Sequence, residues 1–97
     1  LAHGGHGEIS VTSNVAPEAM VALYDAVLAG DLESARLWQD RLIDLHKALF
    51  LDNSPAPTKY ALSQLGLCSD EVRLPLAPTA DGVKPVLDRA MKAAGVQ

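Results

Sequence analysis

The chain is 97 residues long and 48% apolar, with only one tryptophan, one phenylalanine and two tyrosines, and its formal net charge is −4. That length suits one small domain with an aliphatic, mostly helical core, and a domain so small buries too little surface to be very stable unless something packs against it. The acidic balance has both signs interspersed and leaves no basic footprint for nucleic acid or an anionic bilayer, and no apolar run approaches the ~20 residues that span a membrane, so neither is expected as a partner.

Glycines and histidines open the chain and lead into Glu8-Ile9-Ser10-Val11-Thr12. Its β-branched residues predict a short strand, ended by Asn14 and Pro17. A buried strand needs a ladder neighbour on each side, and no second segment of this chain offers one, so the partners are expected from elsewhere. Pro17 suits a first helical position, and Met20, Leu23, Val27 and Leu28 then recur at helical spacing up to Gly30. Asp31 is placed to cap a second, longer helix with a stripe of Leu32, Ala35, Leu42, Leu45 and Leu49, widened by Trp38 and Ile43. Asn53-Ser54-Pro55-Ala56-Pro57 interrupts the pattern. A short third helix is expected from about Thr58 through Ala61, Leu62 and Leu65 to Gly66. Pro75 and Pro78 make Val72 to Thr79 extended and irregular. A last helix is predicted over Asp81 to Ala94, with Val83, Val86, Leu87, Ala90 and Met91 facing inward and Gly95 as its stop.

The expected class is therefore mostly α, arranged as one strand and its helix over residues 1–30 followed by a helical extension over residues 31–97. A glycine-rich entry, a strand and a following helix match the last βα unit of a (β/α)₈ barrel, which makes the extension three further helices added after barrel closure. Leu1 is not methionine, and the opening has neither a basic start nor an apolar signal core, so the chain is expected to be a piece of a longer one. Cys68 is the only cysteine and has no internal partner, which fits a reducing, cytoplasmic setting.

Few residues invite chemistry. His3 and His6, with His46 joining in space, sketch a zinc site, but the pair lies in a glycine-rich turn without a rigid third ligand, and no metal is expected. Gly4-Gly5-His6-Gly7 lacks the Gly-Lys-Ser/Thr ending of a phosphate loop and precedes a strand instead of a helix. Ser10, Thr12, Ser13 and Asn14 sit where barrel enzymes place active groups, yet no base is near in sequence, and backbone bonding is the expected role. Cys68 is expected to be a small buried or half-buried residue. Lys47 and Lys59 fall on or beside predicted helices, the wrong place for a desolvated Schiff-base lysine.

The stretch from Gly4 to Pro17 resembles the eighth barrel strand and following loop of the dihydrodipicolinate synthase family of class I aldolases. Leu28-Ala29-Gly30-Asp31, Leu45-His46-Lys47-Ala48-Leu49-Phe50, Pro55 to Leu62, Leu65-Gly66-Leu67 and Arg73-Leu74-Pro75-Leu76 continue the resemblance in register, and two of these favour this branch over the sister N-acetylneuraminate lyases. The resemblance implies a homo-oligomeric, cytoplasmic lyase, dimeric or tetrameric, that condenses pyruvate with aspartate semialdehyde in diaminopimelate and lysine biosynthesis. The implied chemistry runs through a lysine Schiff base, with no separate cofactor. It also implies that the catalytic residues lie upstream of this chain, which alone should be inactive. One contact carries over: the isoleucine of the eighth strand, here Ile9, whose main-chain carbonyl meets pyruvate. Glu8 departs from the apolar residue usual in the family, and a carboxylate on a barrel strand must be hydrated or paired. A different class of function is a free-standing helical interaction module that binds a protein through Met20, Leu23 and Val27 of the first helix.

Overall fold

In a computed structural model, which describes residues 1–96, the chain forms a 3₁₀ turn over Thr12–Asn14 and four helices: α1 (Pro17–Leu28), α2 (Leu32–Ala48), α3 (Ala56–Gln64) and α4 (Lys84–Ala94). The predicted strand over Glu8 to Thr12 does not form: residues 8–10 are irregular, Val11 is a bend, and Thr12 opens the 3₁₀ turn. The reason is the one that makes a lone strand untenable. β-Branched residues favour a pleated surface only when a ladder accepts their backbone, and among the described residues no backbone-to-backbone hydrogen bond involves residues 5–10.

The helices begin and end for reasons visible in their residues. Pro17 occupies the first turn of α1, where a missing N–H costs nothing. Asp31 caps α2, its carboxylate accepting from the Ser34 amide at 3.1 Å. At the other ends, Gly30 and Gly95 take φ of +75° and +80°, which an L side chain resists. The next residue then folds back: Asp31 N–H donates to the Ala26 carbonyl and Val96 N–H to the Met91 carbonyl, satisfying acceptors that the helix leaves open. Gly66 closes α3 in the same way through Leu67 and Leu62.

The core lies where α2 crosses α4, with α1 on one flank and α3 on the other. Leu42, Leu45, Leu49, Leu87 and Met91 are fully buried there, each stabilising the fold by roughly 2 kcal/mol relative to exposure. The inward face expected for α4 is the one observed. The stripe expected along α2 is shorter than its sequence pattern. Ala35, Leu42, Leu45 and Leu49 are buried, but Leu32 and Ile43 are 49% and 37% exposed. Those two sit where α2 has run past its neighbours or turned away from them.

Loops are tied down by side chains. The Asp52 carboxylate, just after α2, accepts from the Ala80 amide at 2.9 Å, the Thr79 hydroxyl at 3.3 Å and the Asn53 amide at 2.9 Å. Backbone donation from Ala80, then from Asn53, holds this carboxyl below the usual carboxylate range. The clasp joins the α2–α3 connection to the segment entering α4. The molecule is nonetheless elongated, 43 × 23 × 21 Å, with a radius of gyration of 14.1 Å, against about 12.5 Å for a compact domain of this length. No described helix is long and apolar enough to cross a membrane.

Candidate functional site

The N-terminal strip, α1 and one side of α2 border an open groove of about 1060 Å³. The strip lies along α1, where the Tyr24 hydroxyl donates to the His6 carbonyl at 3.4 Å. Glu8, Ile9 and Ser10 form one lip, Met20, Tyr24 and Val27 the wall of α1, and Ala35, Arg36 and His46 the wall of α2. The Ile9 side chain is 107% exposed, and its carbonyl has no hydrogen-bond partner among the described residues. Glu8 is exposed as well, so its carboxylate is hydrated.

The hydroxyl cluster has structural partners. The Ser10 hydroxyl accepts from the Ser13 amide at 3.2 Å, and the Ser13 hydroxyl donates to the Ser10 carbonyl at 2.7 Å. The Asn14 amide side chain donates to the Val11 carbonyl at 3.1 Å. These three residues bond to backbone, as expected of short polar side chains at a turn. Thr12 does something else: its hydroxyl oxygen lies 2.7 Å from His46 Nδ1, across 34 residues of sequence. A hydroxyl beside an imidazole has the look of an activated nucleophile, but Thr12 is only 3% exposed, so no substrate carbonyl reaches it.

His46 therefore bonds to Thr12, while His3 and His6 lie exposed at the chain's start. No group of three metal-ligating side chains assembles among the described residues. Cys68 is exposed, not buried or half-buried, because its glycine-ended helix has already left the core. Lys47 and Lys92 are exposed, Lys59 and Lys84 half-buried, and none of them lines the groove. Lys84 instead pairs with Asp81 at 3.2 Å and stands over the Tyr60 ring.

The titratable groups with displaced pKa values have structural causes away from the Ile9 lip. Ser34, through its side chain and then its amide, lowers Asp31 at the cap of α2. Burial, and then the negative charge and hydrogen bond of Asp88, raise Tyr60. The side of α1 named as an interaction face also needs correction. Met20 and Leu23 pack partly against the core, and the bare stripe is Val21, Tyr24 and Leu28, at 57%, 36% and 66% exposure. Those positions are spaced by three and four residues and so share one face.

Residues 1–94 match the family described as the dihydrodipicolinate synthetase family. The chain is 58% identical over 96 residues to a 4-hydroxy-tetrahydrodipicolinate synthase of Phenylobacterium zucineum, covering 99% of this chain and 33% of that protein. It is similar in structure to the dihydrodipicolinate synthase of Thermotoga maritima, with a TM-score of 0.92, 41% identity, and coverage of 97% of this chain and 32% of the other. It is similar again to the chloride-inhibited dihydrodipicolinate synthase of Acinetobacter baumannii solved with pyruvate, with a TM-score of 0.91, 38% identity, and coverage of 99% and 33%. The chain thus spans about a third of the length of these relatives, 33% of the first of them. With its helices, loops and residues aligned in this way from end to end, the chain belongs to the dihydrodipicolinate synthetase family.

Proposed function

We propose that this chain is the C-terminal third of a pyruvate-dependent class I aldolase, a lyase that condenses pyruvate with aspartate semialdehyde in diaminopimelate and lysine biosynthesis. The observation that carries the reading is the 58% identity to a 4-hydroxy-tetrahydrodipicolinate synthase over 99% of the chain. The physical support is the unfinished side of the molecule. Residues 8–12 have strand-forming composition without a ladder, and beside them lies the bare stripe of α1. In the whole protein, the rest of the polypeptide supplies the neighbouring strands of a (β/α)₈ barrel. Residues 1–30 are then its last strand and helix, and residues 31–97 the helical extension.

On this reading the chemistry is a lysine imine, and the lysine belongs to the part of the enzyme that precedes this chain. The imine activates pyruvate without a metal or a separate cofactor. The four lysines here sit on helices or at their edges and outside the groove, away from the Ile9 carbonyl. What the chain offers the substrate is the main-chain carbonyl of Ile9, which is free to accept a hydrogen bond. The whole enzyme is a cytoplasmic homo-oligomer, dimer or tetramer.

Borohydride trapping tests the assignment. The complete enzyme should gain a reduced pyruvate adduct on a lysine outside these 97 residues, and the isolated chain should gain none. An adduct on Lys47, Lys59, Lys84 or Lys92 would overturn the assignment.

A further inference from the structure

The segment that follows Ile9 is anchored to the helical core by the buried Val15 and Ala16 and by one polar contact, which has a role that packing alone does not require. At the turn before α1 the carbonyls of Thr12, Val11 and Ser10 are engaged. Thr12 accepts from the amides of Val15 and Ala16 at 3.0 and 2.9 Å, Val11 from the Asn14 amide at 3.1 Å, and Ser10 from the Ser13 hydroxyl at 2.7 Å. The Ile9 carbonyl, one residue before this turn, has no hydrogen-bond partner among the described residues. Residues 10–16 thus form a hydrogen-bonded turn, and the Ile9 carbonyl lies just beyond its edge.

The turn still has to be oriented. It is continuous with α1 through the Met20 amide, which donates to the Ala16 carbonyl at 3.1 Å. The polar bond that ties it to α2 is the 2.7 Å contact between the Thr12 hydroxyl and His46 Nδ1. Thr12 is 3% exposed and His46 half-buried, and a buried hydroxyl left without its partner is costly. His46 lies on the last turn of α2, next to Leu45 and close to Ala48 and Leu49, all of them fully buried. Its ring therefore stands on a helix turn whose neighbours are packed in the core. A hydroxyl both donates and accepts, so the contact suits either ring tautomer.

We infer that His46 is a positioning residue: through Thr12 it sets where the Ile9 carbonyl stands relative to the helical core, and so how well pyruvate is held. This rests on the assignment made under Proposed function, and it adds a residue that touches neither substrate nor the reacting atoms. An imidazole on a helix acts through a threonine to place a backbone acceptor three residues away. An error in that placement weakens pyruvate binding before it weakens the chemistry, since the imine-forming lysine is held by other strands.

Steady-state kinetics of the complete enzyme separate this role from a general effect on folding. Thr12→Val keeps the shape and removes the hydroxyl, Thr12→Ser keeps the hydroxyl, His46→Leu removes the ring nitrogens, and His46→Asn restores a polar atom near the place of Nδ1. Thr12→Val and His46→Leu should each raise the pyruvate KM about five- to tenfold with kcat changed less than about threefold, the scale of one lost hydrogen bond. Thr12→Ser and His46→Asn should return KM to within about twofold of wild type. Together the double variant Thr12→Val/His46→Leu should cost no more than either single change, because both remove the same bond. If one parent substitution prevents folding, the other reports on the same contact from the opposite partner. Folded variants with an unchanged pyruvate KM, or with KM constant while kcat falls, would overturn the inference. A wild-type enzyme that traps pyruvate while its variants keep their KM sinks the His46 role alone. A wild-type enzyme that traps no pyruvate sinks the assignment and this role with it.

Discussion

Around the crossing of α2 and α4, Leu42, Leu45, Leu49, Leu87 and Met91 are sealed from water and the loops are clasped by Asp52, whereas the N-terminal strip and α1 leave Ile9 at 107%, Val21 at 57% and Leu28 at 66% exposure. Both regions are rich in aliphatic residues, so composition does not separate them. What separates them is whether the opposing surface is part of the same chain. Where α2 faces α4, two stripes from one polypeptide meet and close. Where α1 faces outward, the stripe at Val21, Tyr24 and Leu28 is touched only by the N-terminal strip, through Tyr24 and His6, and stays largely exposed. A bare apolar stripe of this kind is suited to covering by another surface.

Substitutions at the two ends should therefore differ sharply in cost. Leu45→Ala, in the sealed region, should lower unfolding free energy by roughly 3 kcal/mol, read from urea denaturation. Loss of less than half of that would show that the α2–α4 core is looser than its burial implies. Gly95→Ala comes next, at about 1 kcal/mol, since it puts a side chain on a left-handed backbone while the end of the exposed Arg41 side chain beside the new carbon can swing aside. Gly30→Ala, at the open end, has the same backbone demand but nothing within 4 Å of the added carbon. It should cost about 1 kcal/mol. Similar costs at the two glycines would show that the left-handed backbone sets both.

Asp52 gives a smaller and pH-dependent signal. Its carboxyl is held below its ordinary range in the folded chain, so the clasp stabilises the fold above about pH 4 and is lost as pH falls through the lowered value. Asp52→Asn should flatten the acid limb of the stability profile in that window and leave the slope near neutrality unchanged. A wild-type acid limb retained in the variant would place the acid-sensitive group elsewhere. The smallest effect on stability belongs to the open end. Val21→Gln with Leu28→Gln should change the stability of the isolated chain by less than about 0.5 kcal/mol. Sedimentation across a concentration range should show the unsubstituted chain self-associating through this stripe and the double variant doing so much less. A cost of several kcal/mol would mean that this face is covered within the chain itself.

Much of the helical architecture was legible before any coordinates, because its signals are local. Asp31 before a periodic run, Pro17 at a helix start, and Gly30, Gly66 and Gly95 at helix ends each act within about one turn, and each stands where its residue type predicts. The failures share a cause too. Glu8 to Thr12 has strand-like residues, but a strand is a relation between two segments, and this chain supplies one. Leu32 and Ile43 fit the α2 stripe by spacing, yet burial depends on how far the neighbouring helices extend. The Thr12–His46 contact was out of reach of spacing arguments, since a search for a base near the hydroxyls of residues 10–14 stops well short of residue 46.

Sequence alone determined the helical stretches, their caps and stops, and the residues that carry the family resemblance, because these depend on neighbours within a few positions or on identity itself. Only the tertiary structure decided which apolar stripe closes and which stays bare, and which distant histidine meets a buried threonine. Those outcomes depend on the angles and reach of whole helices packed against one another, which no local pattern encodes.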